Sequence, residues 1–358
     1  KERSSTDEAY EYRLKILRDF AGLVNKENAF PISRFRSRSD KASQAIGYGK
    51  TAMLFHMLRN KVGEQVFWGT LKKIAENRMF EKIGWSDLNE EFSRYSEKNL
   101  KIFFEQWLSR KMGPKIVLDN VEVKQVEAGF QVTGVLKQTS SFYRFRTAIV
   151  LKTTVDIEHL QLDIDKPIQD FEFTTTGRPL ELSVDPESQI FRLLDEKEIP
   201  PTTNSVRGSR KLLVIKGNEY LPTAKAMATL LGGFRKQDLK AKPITNITQA
   251  ELENQDLLIF GNSPVLPTEI MAGNNLLLAG SSHSIEGKSI FIVTANPYSD
   301  EHVAAWFLSD NNDNDIAVAR KIPHYGKYSY LLFAGDKNKL KGTFPARESP
   351  LTVKFDKN

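Results

Sequence analysis

The spacing of hydrophobic residues changes abruptly at Met112-Gly113-Pro114. Before this point apolar side chains recur every three or four residues, as they do on one face of an amphipathic helix. From Ile116 to about Leu194 they recur every second residue instead, as they do in half-buried strands. Glycine followed by proline prevents a helix from continuing. The sequence therefore predicts a helical region followed by a region made of strands.

Within the helical region, apolar periodicity predicts helices over residues 5 to 25, from Tyr48 to Gly63, and again after Gly63. Another begins near Trp85, and Ser86 is the expected N-cap because its hydroxyl can accept a hydrogen bond from a free backbone N–H. The last helix carries an apolar face made of Phe103, Phe104, Trp107 and Leu108.

The strand region has short alternating segments about ten residues apart, a pattern typical of an antiparallel sandwich. It ends in a linker, Glu198 to Arg210, which contains Pro200 and Pro201. Beyond the linker strands alternate with helices, which predicts a mostly parallel, doubly wound sheet. Strands are expected at Lys211–Ile215, Leu257–Phe260, Leu276–Ala279, Ile290–Val293 and Tyr328–Phe333, and helices at Tyr220–Leu231 and Asp300–Leu308.

A chain of 358 residues is too long for one ordinary core. We therefore expect a multidomain α+β protein with a helical domain over residues 1–114, a β-sandwich over 115–200 and an α/β accessory domain over 207–358.

Composition excludes several classes of function. The 51 Lys and Arg residues exceed the 45 Asp and Glu residues only slightly and are scattered, so nucleic acid is not an expected partner. The densest basic stretch, from Arg34 to Lys41, is interpreted as a solvated loop. The absence of cysteine excludes disulfides and thiolate zinc sites, and no apolar run is long enough for a transmembrane segment. The compartment, cytoplasmic or exported, stays open.

Metal and nucleotide motifs are weak. No two of the five histidines lie three to five residues apart on one expected element, so no metal ligand and no bound cofactor are assigned to this chain. His56 is interpreted as a packed or half-exposed histidine and His302 as a residue at the start of a helix. The acidic and amide run Asn311 to Asp315 lacks the glycine and distal glutamate of a calcium loop. A single glycine, Gly217, follows the first strand after the linker, which is too few for a dinucleotide fingerprint.

One ordered set of motifs is more specific. It comprises Tyr48-Gly49-Lys50-Thr51, Gly63 with Phe67, Trp85, Gly113-Pro114, Val184-Asp185-Pro186, Ile190-Phe191-Arg192 and Glu198-Ile199-Pro200-Pro201. The set resembles the end of the catalytic domain and the following sandwich of the aminopeptidase N and leukotriene hydrolase family of gluzincin zinc metallopeptidases. It covers about residues 1 to 200. Thr51 and Gly49 depart from the residues that the family usually has there.

The resemblance implies a parent enzyme that hydrolyses N-terminal peptide bonds with a zinc-activated water. In that family a tyrosine hydroxyl donates a hydrogen bond to the tetrahedral oxyanion, and Tyr48 matches this tyrosine. The zinc ligands and the residues that hold the substrate's amine would lie upstream, in an N-terminal catalytic half that this chain lacks. The chain alone is therefore expected to bind no catalytic zinc and to be inactive.

Two other interpretations stay open. The chain is alternatively a non-catalytic binding or scaffolding protein derived from the same family, while a nucleotide-binding module would require a phosphate loop that is not found. Loss of the missing half would also leave an exposed helical surface for dimerisation, with Leu14, Phe20, Phe55 and Phe67 as its apolar residues.

Overall fold

The computed structural model describes residues 5–265, 267, 270–278, 281–344, 346 and 349–355. It divides into two compact units. The first consists of Lys1–Ile199 with Glu348–Asn358, and the second of Pro200–Arg347. The protein is thus a mixed α/β chain with several sheets.

The first unit begins with helices. They are α1 (Thr6–Leu23), α2 (Lys41–Gln44), α3 (Thr51–Val62), α4 (Glu64–Asn77), α5 (Trp85–Ser96) and α6 (Lys101–Ser109), with a 3-10 turn at Ile32–Arg34 and a π-helical turn at Ala45–Lys50. Helix α1 starts where Ser5 accepts a hydrogen bond from the Glu8 amide. The prediction that Ser86 caps α5 is wrong. The N-cap is Gly84, and its amide donates to the carboxylate of Asp87 at 2.7 Å.

The apolar face expected to be exposed is mostly buried. Leu14, Phe20 and Phe67 lie in the core of the first unit, and Phe55 is half-buried against it. The chain supplies their partners from distant segments: the rings of Phe20 and Phe191 meet edge to face at 4.9 Å. A patch made of these side chains is therefore not available for dimerisation, and dimerisation itself stays a prediction.

Two antiparallel sheets follow the helices. Their strands are β1 (Ile116–Val126), β2 (Gly129–Gln138), β3 (Phe145–Thr153), β4 (Ile157–Ile164), β5 (Ile168–Thr175) and β6 (Pro179–Val184). One sheet has the order β1-β2-β5, and the other contains β6, β3 and β4 in that order. Buried residues of both sheets belong to one hydrophobic cluster. The sandwich stays a prediction.

The C-terminal strand, Thr352–Lys354, pairs antiparallel with β6 at the edge of the second of these sheets. Thr352 lies opposite Ser183, and their hydroxyl groups are hydrogen-bonded at 3.1 Å. These residues fall in the region 207–358 that the sequence predicts as the accessory domain, because local periodicity carries no information about a strand partner so far away. The division into three domains otherwise stays a prediction.

The second unit contains a seven-stranded mixed sheet with the order β16-β15-β13-β14-β9-β7-β8 and a three-stranded sheet with the order β10-β11-β12. Its strands are β7 (Leu212–Lys216), β8 (Lys242–Pro243), β9 (Asp256–Phe260), β10 (Met271–Ala272), β11 (Asn275–Leu278), β12 (Ser281–Ser284), β13 (Lys288–Ala295), β14 (Val303–Ser309), β15 (Tyr330–Ala334) and β16 (Lys337–Gly342). Its helices are α7 (Thr203–Gly208), α8 (Ala224–Gly233), α9 (Gln249–Glu253) and α10 (Asp315–Lys321).

The prediction of a mostly parallel sheet is wrong. Only β8, β7, β9 and β14 run parallel, whereas β13, β15 and β16 pair antiparallel. The connections at residues 296–302 and 335–336 are too short for the crossover that parallel neighbours need.

The helix predicted at Asp300–Leu308 is also wrong. These residues form most of β14, which lies between β13 and β9 and buries Trp306 completely. Its run of apolar residues has no clear alternation because both faces are covered, and periodicity alone cannot distinguish such a strand from a buried helix. Two other strands differ in extent from the predictions. The strand expected at Leu276–Ala279 is β11, Asn275–Leu278, in the small sheet, and Ala279 lies outside the described residues. The strand expected at Tyr328–Phe333 is β15, Tyr330–Ala334, and it is followed by β16.

Candidate functional site

Tyr48 lies on the π-helical turn Ala45–Lys50, which leads directly into α3. Its side chain is 58% exposed, and its ring meets that of Phe35 edge to face at 5.5 Å. In the part of the chain that the structure describes, no group forms a hydrogen bond with its hydroxyl. The hydroxyl is therefore available to a molecule outside this chain.

Glycine on either side of Tyr48 allows the turn to pack closely. A Cβ atom at Gly47 would lie 2.2 Å from the Phe35 ring, and one at Gly49 would lie 3.2 Å from Ile16 of α1. The turn therefore lies against Phe35 on one side and α1 on the other.

Lys50, at the end of the same turn, is almost fully buried. Its ammonium group donates three hydrogen bonds, to the carbonyl oxygens of Arg110, Lys111 and Met112 at 2.6, 3.2 and 3.1 Å. It also lies 5.4 Å from the centre of the Phe191 ring. Burial lowers the pKa of Lys50 to about 7, whereas the three carbonyl oxygens and the ring favour the charged form.

His56 belongs to a hydrogen-bonded cluster that sequence reasoning missed. Its Nε2 lies 2.5 Å from Oε1 of Gln189, and Nη2 of Arg59 lies 3.1 Å from its Nδ1. Arg59 also forms an ion pair with Glu64 at 3.3 Å. These residues line a cavity of about 1210 Å³ in the first unit. His56 is half-buried, and its contact with Gln189, 133 residues later, could not be read from the local sequence.

A second buried cluster uses residues of the downstream motifs. The guanidinium of Arg192 contacts both Asp185 and Glu198, and the exposed fraction of all three is below a tenth. Burial raises the pKa of Asp185 to about 6, although the positive charge of Arg192 opposes the rise. Arg192 in turn is the main influence that holds the pKa of Glu198 below its usual value against desolvation. The three side chains thus satisfy one another's charges in a buried setting.

The described residues do not form a metal site: no group of three or more His, Asp or Glu side chains among them is placed to hold an ion. His159, His283 and His324 lie on β4, on β12 and after α10. His302 lies before strand β14, not at a helix start, with its Nδ1 3.3 Å from Oδ1 of Asp256.

The place where a phosphate would bind in the second unit is filled by protein atoms. A Cβ at Gly217 would lie 2.1 Å from the carbonyl oxygen of Asn262. At the N-terminus of α8, the backbone N–H of Thr223 donates to the buried carboxylate of Asp315 at 2.5 Å. Asp315 thus has the role that an anion would have there. The run from Asn311 forms a turn into α10.

No family model matches the sequence, and no curated protein matches it. Among solved structures, the chain is similar to part of the crystal structure of Legionella pneumophila aminopeptidase A in complex with aspartic acid. The identity is 17%, the match covers 46% of this chain and the TM-score is 0.36. The match covers only 20% of that protein's length. A similarity of this size carries no argument about fold or function.

None of the helices in the described part of the chain has the length and apolar character needed to cross a membrane.

Proposed function

We propose that this chain is the C-terminal part of a zinc-dependent aminopeptidase and that Tyr48 stabilises the oxyanion during hydrolysis of an N-terminal peptide bond. The observation that carries the proposal is the state of Tyr48: an exposed tyrosine on a closely packed turn, with a hydroxyl that no described residue engages. The ordered motifs over residues 1 to 200 supply the family resemblance.

The chemistry fits a phenol in this setting. The attack of water on a peptide carbonyl places negative charge on the carbonyl oxygen, and a neutral hydroxyl can donate a hydrogen bond to it without itself ionising. A donor that is already positioned loses little free energy to reorganisation in the transition state. The packing of the turn against Phe35 and Ile16 supports that positioning.

No group of three potential ligands is found among the described residues, and no step through zinc is assigned to this chain. A metal and the residues that activate water would come from an N-terminal half outside the chain. On this proposal the chain alone is inactive. Its partners are the missing N-terminal half and, through the parent enzyme, a peptide substrate.

The test is to read the coding sequence upstream of Lys1, produce the longer protein, and measure its zinc content and aminopeptidase activity. Replacing Tyr48 with Phe removes only the donor, so kcat should fall by a factor of roughly 100 to 1,000. Zinc content and thermal stability should not change. Tyr298→Phe, at a part-exposed tyrosine of the second unit, is the matched control and should leave kcat unchanged.

A longer protein without zinc ligands, or full activity in the Tyr48→Phe variant, would overturn the proposal. The non-catalytic binding or scaffolding function would then be preferred.

A further inference from the structure

We infer that Lys50 is the positioning residue for Tyr48, because it ties the π-helical turn to the chain segment that leaves α6. The inference concerns the turn itself and stands on the structure, whereas its consequence for catalysis rests on the proposed function.

The anchor for Lys50 is three successive carbonyl groups. Helix α6 ends at Ser109, so the carbonyl oxygens that follow it have no partner in the next helical turn. The ammonium group of Lys50 satisfies three of them at once. The end of a helix also favours a positive charge, since its carbonyl groups carry partial negative charge. A lysine with three rotatable donors matches three acceptors, whereas the apolar side chain of methionine offers none.

The anchor segment is itself fixed. The Tyr143 hydroxyl, which is buried, donates to the carbonyl oxygen of Met112 at 2.5 Å. Arg110 lies over the ring of Tyr143, 4.6 Å from its centre, and its guanidinium donates to the carbonyl of Phe142. A Cβ at Gly113 would lie 3.0 Å from the ring of Phe191. Lys50 is therefore joined to a rigid part of the first unit.

The position of Lys50 in the turn connects this anchor to Tyr48. Residues two apart in a helical turn point to roughly opposite sides, so a buried Lys50 directs Tyr48 outward. A π-turn contains more residues than an α-turn and is less common, and such turns are often found at functional sites. Without the bonds from Lys50, the turn can relax toward α-helical geometry, which would rotate Tyr48 away from its present direction.

The first experiment uses this chain and needs no activity. Amide hydrogen exchange is compared at residues 45–50 in the original chain and in the variants Lys50→Met and Lys101→Met. Lys101 is an exposed lysine at the start of α6 and is the control. Lys50→Met should speed exchange in the turn at least tenfold, and Lys101→Met should not. Unchanged exchange in Lys50→Met would overturn the inference. If Lys50→Met does not fold, Lys50→Gln is used, because its shorter side chain also lacks the ammonium donors, and the same comparison applies.

The second experiment is a double-mutant cycle in the longer protein. If Lys50 acts through Tyr48, Lys50→Met lowers kcat at least tenfold with KM little changed. The double variant Tyr48→Phe/Lys50→Met is then no slower than Tyr48→Phe alone. Losses that multiply would show that Lys50 acts by another route and would overturn the inference. If Lys50→Met loosens the turn but Tyr48→Phe retains full kcat, the proposed function fails and the structural link is retained.

Discussion

Arg192 and Glu198 form two parallel hydrogen bonds inside the first unit, from Nη1 to Oε2 and from Nη2 to Oε1, both 2.7 Å long. The remaining guanidinium nitrogen, Nε, donates to Asp185 at 3.2 Å. The hydroxyl of Ser349 donates to Glu198 at 2.7 Å, which brings the C-terminal segment into the same network. Two carboxylates and one guanidinium are thus held away from water. Removing any one of the three charges would leave a buried charge without its partner, so the network is sensitive to substitution.

Replacing Arg192 with Met should lower the free energy of unfolding by about 3–5 kcal/mol, because two buried carboxylates lose their counter-charge. Arg146→Met is the control. Arg146 also pairs with a carboxylate, that of Asp163, but both side chains are more than half exposed, so the expected loss is at most about 1 kcal/mol. Urea unfolding of the first unit measures both. Equal losses in the two variants would contradict the assignment of the network as buried and coupled.

Asp185 predicts a specific pH dependence. Its pKa in the folded chain is about 6, above the ordinary value of 3.8. Between these values the folded state binds more protons than the unfolded state, so the free energy of unfolding falls as pH rises through this window. Across the window, ionisation of Asp185 lowers the free energy of unfolding by up to about 3 kcal/mol. Asp185→Asn removes it.

The measurement is the difference in unfolding free energy between the original chain and Asp185→Asn at pH 4, 5, 6 and 7. Relative to the variant, the original chain should lose stability from pH 4 to 6 and then level off. Glu198, whose pKa is lowered, changes stability in the opposite direction but is present in both proteins. Parallel curves for the two proteins would show that folding does not raise the pKa of Asp185.

Gly47→Ala should destabilise the turn that carries Tyr48. The added methyl group would lie 2.2 Å from the Phe35 ring, and such overpacking typically costs about 1–3 kcal/mol. Gly69→Ala is the matched control, because Gly69 lies within α4 with no atom near its missing Cβ. It should stabilise the protein by up to about 1 kcal/mol.

Replacing Phe35 with Ala in the Gly47→Ala variant should recover part of the lost stability, because it removes the ring that the added methyl group meets. A thermal or urea melt would detect the recovery. If Gly47→Ala melts at the temperature of the original chain, the turn does not lie as close to Phe35 as the structure places it.

The sequence predicted those features that depend on local pattern. The helix expected over residues 5 to 25 is found as Thr6–Leu23, and the change of period at Gly113-Pro114 marks the start of β1 at Ile116. Strand β14 was missed because a strand covered on both faces has no polar alternation to show.

The sequence could single out Tyr48 through a motif, but it could not predict the surroundings of that residue. The three carbonyl groups that hold Lys50 come from residues about 60 positions later, and backbone carbonyls have no signature in the sequence. The contact of His56 with Gln189 spans a still longer stretch of chain. Contacts of this kind depend on tertiary packing, which a single sequence without homologues does not reveal.

The pairing of the C-terminal strand with β6 has a consequence for how the protein is made. The first unit includes residues on both sides of the second, so its four-stranded sheet stays one strand short until Thr352–Lys354 has been synthesised. At typical synthesis rates, the roughly 150 intervening residues take about 10 to 30 seconds. During that interval the edge of β6 exposes unpaired backbone groups to other nascent chains. A premature stop before Thr352 would therefore release a protein in which the edge of β6 stays unpaired.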